Sequence, residues 1–436
     1  MAITGEHKET WWPTFQKYIN ENGFAKLAEK PDLNPNDLVI PSTPKHMTEA
    51  LRGPFGHMWV KGMLTELRRI FDRGTFTVCS EEDQNNPNKK GILSKLAFRI
   101  SRNPDNTWKF RCRLVACGYS QKYGIDFEKT FAPTSKYRSF CTIMHLAGCY
   151  GWNIHGIDIE NAYLEAGIDK DIYMYLPGDV YKRPDGKLQK VKLNLSLYGL
   201  KQAGELFYKK LKSVLEAHGY KQLISDQCVF IKKNEETGQQ SIVLLYVDDI
   251  IITGDDALTS KQTIEYLASQ FKKIKVTDEV SRYIGIDIIR DKSTRKLTLI
   301  QQQYLEDYLD TLPVTPKLKN IPLSTSLNYH LKGNNDIDPI YKDVGKFRYA
   351  SDHTRPDTLY SAGLLGSAAS NPHPNHIAGL KHFQGYLQNT KSRGLVLGGD
   401  TKINLFGFSD AACLPGGESQ LAYCFYLGTD SGTICA

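Results

Sequence analysis

Apolar residues recur along this chain with two periods, one near 3.6 and one near 2, and together they lay out a mixed fold. In MWVKGMLTELRRIF, from Met58, the residues Trp59, Met63, Leu67 and Ile70 stand at helical spacing. KLAFRI and KFRCRLVA then alternate like two strands of a hairpin around the turn-rich NPDNT. A helix is predicted from Lys136 to Tyr150, and IHGIDIENAYL reads as a strand running into a helix start. AGELFYKKLKSVLEAHGY is an amphipathic helix: Leu206, Phe207, Leu211, Val214 and Leu215 make one face, Lys209, Lys210 and Lys212 another, and Gly219 ends it. VFIKK and SIVLLYV are strands around NEETGQQ. A helix then opens at TSKQ, where Thr259 and Gln262 have capping-box spacing, and carries Ile264, Leu267 and Phe271. RYIGIDIIRD and RKLTLI predict another hairpin, QQQYLEDYLDTL a helix ended by Pro313, residues 313–345 a connector, 345–390 further helix and KINLFGFSD a last strand. Residues 1–45, with several prolines and no period, predict little regular structure. Hairpins interspersed with helices give an α+β fold with an antiparallel sheet.

Composition narrows the picture only a little. At 436 residues with 41% hydrophobic content the chain is long enough for two or three domains and a substantial core. Lys and Arg total 55 against 48 Asp and Glu, a net +7 that permits a polyanionic partner without demanding one. Nine cysteines with no C-x-x-C spacing argue against a disulfide framework and against a zinc finger or knuckle, and favour a reducing compartment. The start, MAITGEHKETWWPTFQ, is charged early and has no apolar stretch of signal-peptide length. No uninterrupted apolar run approaches the ~18 residues of a membrane span, so no membrane association is expected.

One stretch breaks the apolar pattern. IVLLYVDDIIITG, residues 242–254, sets Asp248 and Asp249 in the middle of β-branched, apolar residues, where an unpaired charge is most costly. Three readings fit: the tip of a β-hairpin, a carboxylate pair satisfied by Lys or Arg, or a site for divalent cations. Nucleotidyl transfer uses two divalent ions about 3.5–4 Å apart, held by carboxylates that converge from neighbouring strands. HGIDIENAYLEA supplies a third carboxylate, Asp158, at the end of an alternating stretch. Alone, Asp158 reads as a solvated strand-end residue.

In combination these residues are more specific. D-x-x-x-A-Y-L followed by Y-V-D-D resembles the polymerase motifs of reverse transcriptases. RLVACGYSQKYGIDFEKTFAPTSKYRSF, IYMYLPG, LNLSLYGLKQA, LLYVDDIIITG, YIGIDI and TRPD, in that order, resemble the Ty1/copia group of retrotransposons over roughly residues 55–430. The resemblance implies a right-hand polymerase: an extension over residues 1–54, fingers and palm over 55–312, thumb and connection over 313–398, and a truncated ribonuclease H-like start over 399–436. It implies that Asp158, Asp248 and Asp249 hold Mg²⁺, with Mn²⁺ as a substitute, because an all-oxygen set suits a hard cation. Tyr163 matches the aromatic residue under the incoming sugar, where a ring excludes a 2′-hydroxyl; unaided, it reads as a core tyrosine. Arg111 and Arg113 match the finger strand that reaches the triphosphate. Gln202 matches a glutamine near the nucleotide sugar and unaided reads as an ordinary loop residue; Lys201 beside it is available to the template backbone, and Tyr246 reads either as a contact of the primer end or as a strand tyrosine in a core. The implied partners are an RNA template, a DNA or tRNA primer, deoxynucleoside triphosphates and other Pol products such as integrase. The implied location is a cytoplasmic particle, with the nucleus for integration. Phosphate contacts dominate such binding, so salt sensitivity is expected.

The tail departs from the pattern. GFSD resembles the first strand of the family's ribonuclease H, with Asp410 its first ligand, but ACLPGGESQLAY replaces the stretch that normally follows. Ribonuclease H activity from this chain alone is not expected, and an open-ended sheet fragment predicts poor order over the last 35 or so residues. With no D-S/T-G protease motif and no Cys/His zinc cluster, the chain reads as the polymerase part of an element, a processed piece or a truncated genomic copy. Three functions follow for comparison: a reverse transcriptase, a non-catalytic relic that binds nucleic acid, and a DNA-templated polymerase of another right-hand family.

Overall fold

The computed structural model describes residues 17–28 apart from 18 and 22, and residues 43–102, 108–333, 337–399, 402–413, 419–429 and 431–435. The NPDNT turn and most of the expectation for residues 1–45 lie outside the described residues. The chain divides into two compact units, Met1–Pro133 with Ile159–Ala217 and Gln270–Lys273, and Thr134–Asp158 with His218–Ser269 and Ile274–Ala436.

In the first unit, helix α1 (Gly56–Asp72) buries the predicted Trp59, Met63, Leu67 and Ile70. It packs on a two-stranded ribbon, β2 (Ser94–Arg102) and β3 (Trp108–Ala116), where the Trp59 ring meets Phe98 and Phe110 edge-on at 5.2 and 4.8 Å. Alternation puts Leu96, Phe98, Phe110, Cys112 and Leu114 on that core face and leaves Lys95, Arg99, Lys109, Arg111 and Arg113 on the solvent face. A three-stranded sheet in the order β1 (Phe76–Val78), β6 (Lys190–Leu193), β5 (Tyr173–Tyr175) and helix α3 (Ala203–Ala217) complete the described core. Of the predicted α3 face, Phe207, Leu211 and Leu215 are buried, while Leu206 and Val214 are half-buried.

The second unit is built on a six-stranded sheet. Its order is β11 (Ile274–Thr277), β4 (Ile154–Ile159), β10 (Asp249–Gly254), β9 (Gln240–Tyr246), β8 (Val229–Lys233), β7 (Lys221–Gln222). One face packs into a core with helix α2 (Tyr137–Tyr150) and with a second sheet, β12 (Arg282–Tyr283), β13 (Ile286–Asp291), β14 (Lys296–Ile300) and β15 (Leu395–Gly398). Toward the other face, helix α4 (Ala257–Gln270) is tied on by Tyr220, whose hydroxyl donates to Ser241 and meets Thr263, while Ser241 also bonds Ser260. Val243, Leu244, Leu245, Ile250, Ile251 and Ile252 are all buried, which explains why this sequence is continuously apolar rather than alternating.

Helices α5 (Gln302–Leu309), α6 (Tyr341–His353), α7 (Leu359–Ser367) and α8 (Pro374–Thr390) share a separate core around Leu305, Phe347, Leu365 and Phe383. TRPD stitches this bundle from inside. Arg355, 1% exposed, holds Asp357 through Nε at 3.0 Å and Nη2 at 2.9 Å, and its Nη1 and Nη2 donate to the carbonyl and hydroxyl oxygens of Thr390 at 2.9 and 2.7 Å.

Several expectations need correction. IHGIDIENAYL does not run into a regular helix: Asn161, at φ 58°, turns the chain into one short 3₁₀ turn, Ala162–Glu165. The α4 start is held by Asp256, which accepts from the Thr259 backbone N–H and hydroxyl, so Thr259 is inside the helix and not its cap. RYIGIDIIRD splits into β12 and β13 at Ile284 and Gly285, both left-handed at φ 45° and 82°. In the tail, β16 (Phe406–Cys413) pairs in register with β17 (Ser419–Tyr426), so the described residues there form a hairpin where poor order was expected. Among the described residues no helix is long and apolar enough to cross a membrane.

Candidate active site

The Asp pair of IVLLYVDDIIITG is a hairpin tip, as one reading of the sequence proposed. Strands β9 and β10 pair from Tyr246↔Asp249 downward, which leaves only Val247 and Asp248 in the turn. A two-residue hairpin needs a left-handed residue, ordinarily glycine. Here Val247 takes that conformation at φ 58°, and a β-branched side chain held there costs about 1–3 kcal/mol. Strain of this kind persists where the surroundings over-determine the backbone, and two paired strands buried along residues 241–245 and 250–254 do so here.

The decisive geometry is the register of β10 against β4. Asp249 lies directly opposite Asp158. Directly opposed residues point to the same face, with Cβ atoms about 4.5–5.5 Å apart. Tyr246, Asp249 and Asp158 therefore form one row across three strands, with Asp248 in the turn beside it. Asp158 and Asp248 are exposed and Asp249 half-buried. The Asp249 carboxyl is pushed up to about 6, first by burial and then by the charges of Asp248 and Asp158, with no cation among these influences. Among the described residues no group of three or more His, Cys, Asp or Glu side chains stands close enough together to hold a metal ion as placed, the three aspartates included.

The remaining predicted residues except Tyr246 belong to the first unit. Tyr163 is half-buried, its ring 5.2 Å from Tyr198 at 74° and 6.5 Å from Phe207 at 87°. Arg113 stacks on the other partner of this contact, its guanidinium carbon 4.5 Å from the Tyr198 ring centroid. Arg111 stays on the exposed ribbon face, directly opposite Arg99. Lys201 is exposed, with its ammonium 4.5 Å from the Phe127 ring. Sequence reasoning passed over Tyr198 and Arg99. Both had a signal: Tyr198 lies within LNLSLYGLKQA, and the alternation of KLAFRI puts Arg99 on the same face as Lys95.

Gln202 is fully buried, and its amide is engaged at both ends within the protein. It accepts from Gln121 Nε2 at 3.0 Å and donates to the Asp126 carbonyl at 2.7 Å, while Gln121 Oε1 accepts from the Lys201 N–H at 2.8 Å. This amide pair clasps the loop after β3 to the start of α3. Gln202→Leu should therefore lower stability by about 1–3 kcal/mol, since buried partners are left unsatisfied. The check is urea unfolding at an unchanged m-value; a wild-type midpoint would show the clasp to be idle.

Comparison with known proteins fits this geometry. Residues 76–324 match the family described as reverse transcriptase (RNA-dependent DNA polymerase). The chain is 31% identical over 407 residues to the "Retrovirus-related Pol polyprotein from transposon TNT 1-94" of Nicotiana tabacum, an overlap covering 89% of this chain and 30% of that protein. It is 32% identical over 431 residues to the corresponding polyprotein from transposon RE1 of Arabidopsis thaliana, covering 95% and 28%. Against the "Transposon Ty1-DR1 Gag-Pol polyprotein" of Saccharomyces cerevisiae the identity is 28% over 271 residues, covering 60% and 15%. The chain thus spans less than a third of the length of these relatives. Its polymerase motifs, the family match and the relatives agree: the chain belongs to the reverse transcriptase family of Ty1/copia-type retrotransposon Pol polyproteins.

Proposed function

We propose that this chain is an RNA-directed DNA polymerase that extends a DNA or tRNA primer with deoxynucleoside triphosphates on an RNA template. The observation that carries this reading is the register that sets Asp249 opposite Asp158 with Asp248 in the adjoining turn. β4, β9 and β10 then serve as the palm, the β2–β3 ribbon as fingers, and residues 313–398, with helices α6 to α8, as thumb and connection. Asp158, Asp248 and Asp249 would hold Mg²⁺, or Mn²⁺ in its place. The fit rests on an all-carboxylate donor set whose charges already oppose one another, and Mg²⁺ is ordinarily held by one or two carboxylates plus substrate phosphates. Bound there, the ions would make the primer 3′-hydroxyl a better nucleophile and neutralise the pyrophosphate leaving group.

The chain's own residues orient the reactants. Arg113 and Arg111 grip triphosphate oxygens, Tyr163 faces the sugar and disfavours a 2′-hydroxyl, and Tyr246, in line with Asp249, supports the primer end. Gln202 lies near the nucleotide sugar and clasps the loop after β3 to the segment that carries Lys201, which serves the template backbone. In the tail, Asp410 lies on β16 within a two-stranded hairpin, and no ribonuclease H activity is assigned to it. Other Pol products, integrase among them, would accompany the chain in a cytoplasmic particle, with the nucleus for integration; the relatives' naming as Pol polyproteins supports companion Pol products in general.

The test is incorporation of labelled dTTP on poly(rA)·oligo(dT) with Mg²⁺ or Mn²⁺, with poly(dA)·oligo(dT) beside it. Extension on the RNA template supports the reading. Soluble, folded protein that binds the duplex but extends neither template would make this a binding relic.

The ribbon adds a quantitative expectation. Neither β2 nor β3 contains an acidic residue, and the like charges of Arg99 and Arg111 face each other, an arrangement that costs stability unless a polyanion lies over it. Replacing Lys95, Arg99 and Lys109 by Gln should reduce the slope of log K against log salt for primer–template binding by roughly two to three, about one unit per lost phosphate contact. An unchanged slope would remove the ribbon from the binding surface.

A further inference from the structure

Tyr163 and Arg113, the two residues read as sugar and triphosphate contacts, do not touch each other in the contacts described above. They meet through Tyr198. The ring of Tyr198 carries the Arg113 guanidinium carbon at 4.5 Å and the Tyr163 ring, edge to face, at 5.2 Å. Behind Tyr163, Phe207 of α3 closes the row at 6.5 Å.

The backbone gives Tyr198 a fixed seat. Its carbonyl accepts from the Ala116 N–H at the end of β3 at 2.8 Å. Gly199 follows at φ 89°, so close to β3 that an added Cβ would lie 2.1 Å from the Ala116 carbonyl oxygen. Gly118 is pressed equally hard from the other side, its Cβ position 2.2 Å from the Gly199 carbonyl oxygen. Only glycine fits at either place, so the Tyr198 ring stands where β3, which bears Arg113, and the turn that bears Tyr163 come together. Gln202, four residues later, has its amide turned to Gln121 and Asp126 and takes no part in this row.

We infer that Tyr198 is a positioning residue of the nucleotide site, its ring aiming the Arg113 guanidinium at the triphosphate and backing the Tyr163 ring against the sugar. This inference rests on the polymerase reading above. An aromatic face is the right support for a guanidinium, which stacks on it while keeping its N–H fork in plane for phosphate oxygens. The edge of the same ring limits how far Tyr163 can swing away from the sugar.

The experiment uses the full chain on poly(rA)·oligo(dT) with a dideoxy-terminated primer and Mg²⁺, so that the next nucleotide binds without reacting. The dTTP concentration that protects the complex from a heparin challenge gives its Kd, and UTP in place of dTTP gives the sugar selectivity. Tyr198→Leu should weaken dTTP roughly 10-fold and narrow the dTTP-to-UTP ratio, whereas Tyr198→Phe stays within about twofold, and duplex affinity is the same in all three. Arg113→Lys provides a second arm that leaves Tyr198 in place. Because both side chains act as one unit, the double variant Tyr198→Leu/Arg113→Lys should be little worse than the poorer single one. Equal dTTP binding by Tyr198→Leu and the parent, equal losses in the Phe and Leu variants, or additive losses in the double variant would overturn the inference and leave the polymerase reading standing. A parent that binds the duplex but no dTTP overturns both.

Discussion

Asp248→Asn is expected to abolish primer extension on poly(rA)·oligo(dT) while leaving the fold and most duplex binding intact. Asp248 sits in an exposed turn, and Asn keeps its shape, so little packing is at stake. What is lost is one of three negative charges available to stabilise a bound cation and, through it, the reacting oxygens. That stabilisation is worth several kcal/mol, and each 1.36 kcal/mol is tenfold in rate, so a loss of about 10³-fold or more follows. Activity equal to the parent would reject the site. Asp249→Asn separates the electrostatic argument from the catalytic one. Its folded carboxyl, at about 6, lies above the ordinary aspartate value of 3.8, so ionisation is disfavoured on folding. In chelator the parent should be least penalised below about pH 4, lose stability as pH rises from there to about 6, and stay level above. Asp249→Asn should be more stable than the parent above pH 6, by about 1–2 kcal/mol once solvent screening of a half-exposed group is allowed for, and equal near pH 4. A constant gap across that range would mean that neither burial nor the neighbouring carboxylates disfavour ionisation of Asp249.

The second large effect is structural. Arg355→Met should cost about 1–3 kcal/mol, read as a lower urea midpoint at unchanged m-value, because the carbonyl and hydroxyl of Thr390 each lose one buried donor, the carbonyl keeping the Arg393 N–H at 2.9 Å, and the guanidinium volume is poorly refilled. Asp357 keeps 39% of its side chain exposed and can rehydrate, which holds the penalty below that of a fully buried orphaned charge. Arg355→Lys should also destabilise, since one ammonium cannot replace a fork that serves Asp357 and Thr390 together. Burial pushes the Asp357 carboxyl up, but Arg355 and the Tyr386 hydroxyl more than offset it and hold it below its usual value. This contribution is complete above the ordinary aspartate range and is lost as pH falls through the depressed value, so Arg355→Met should flatten the acid limb of the stability curve. An identical acid limb in parent and variant would count against the pairing.

Much of this was legible in the chain because it is locally encoded. The 3.6 period of Trp59, Met63, Leu67 and Ile70 needs nothing beyond its own helix, and two carboxylates among Ile, Val and Leu announce a cost that something must offset. The register of Asp249 against Asp158 is a pairing of segments far apart in sequence, set by packing on both sheet faces, and no local pattern states it. Asp256 stands three residues before Thr259 and takes the cap through local bonds from the Thr259 N–H and hydroxyl, an alternative of the same spacing that the Thr259–Gln262 pattern obscured. Gln202 and Tyr198 sit in one motif, and the burial of Gln202 against Gln121 and Asp126 is a tertiary outcome that the motif does not state.

The two-sided burial of β9 and β10 also bears on the order in which the molecule comes apart. Amide hydrogens in a central strand covered on both faces exchange only through the largest openings, whereas a ribbon with one wet face and short edge strands exchanges through small ones. The amides of Val243–Leu245 and Ile250–Ile252 should therefore be among the last to take up deuterium, and those of β2, β3 and β7 among the earlier ones. A molecule whose β2–β3 ribbon has already opened would then still carry Asp249 opposite Asp158, so that reclosing would not require the central sheet to refold from the beginning.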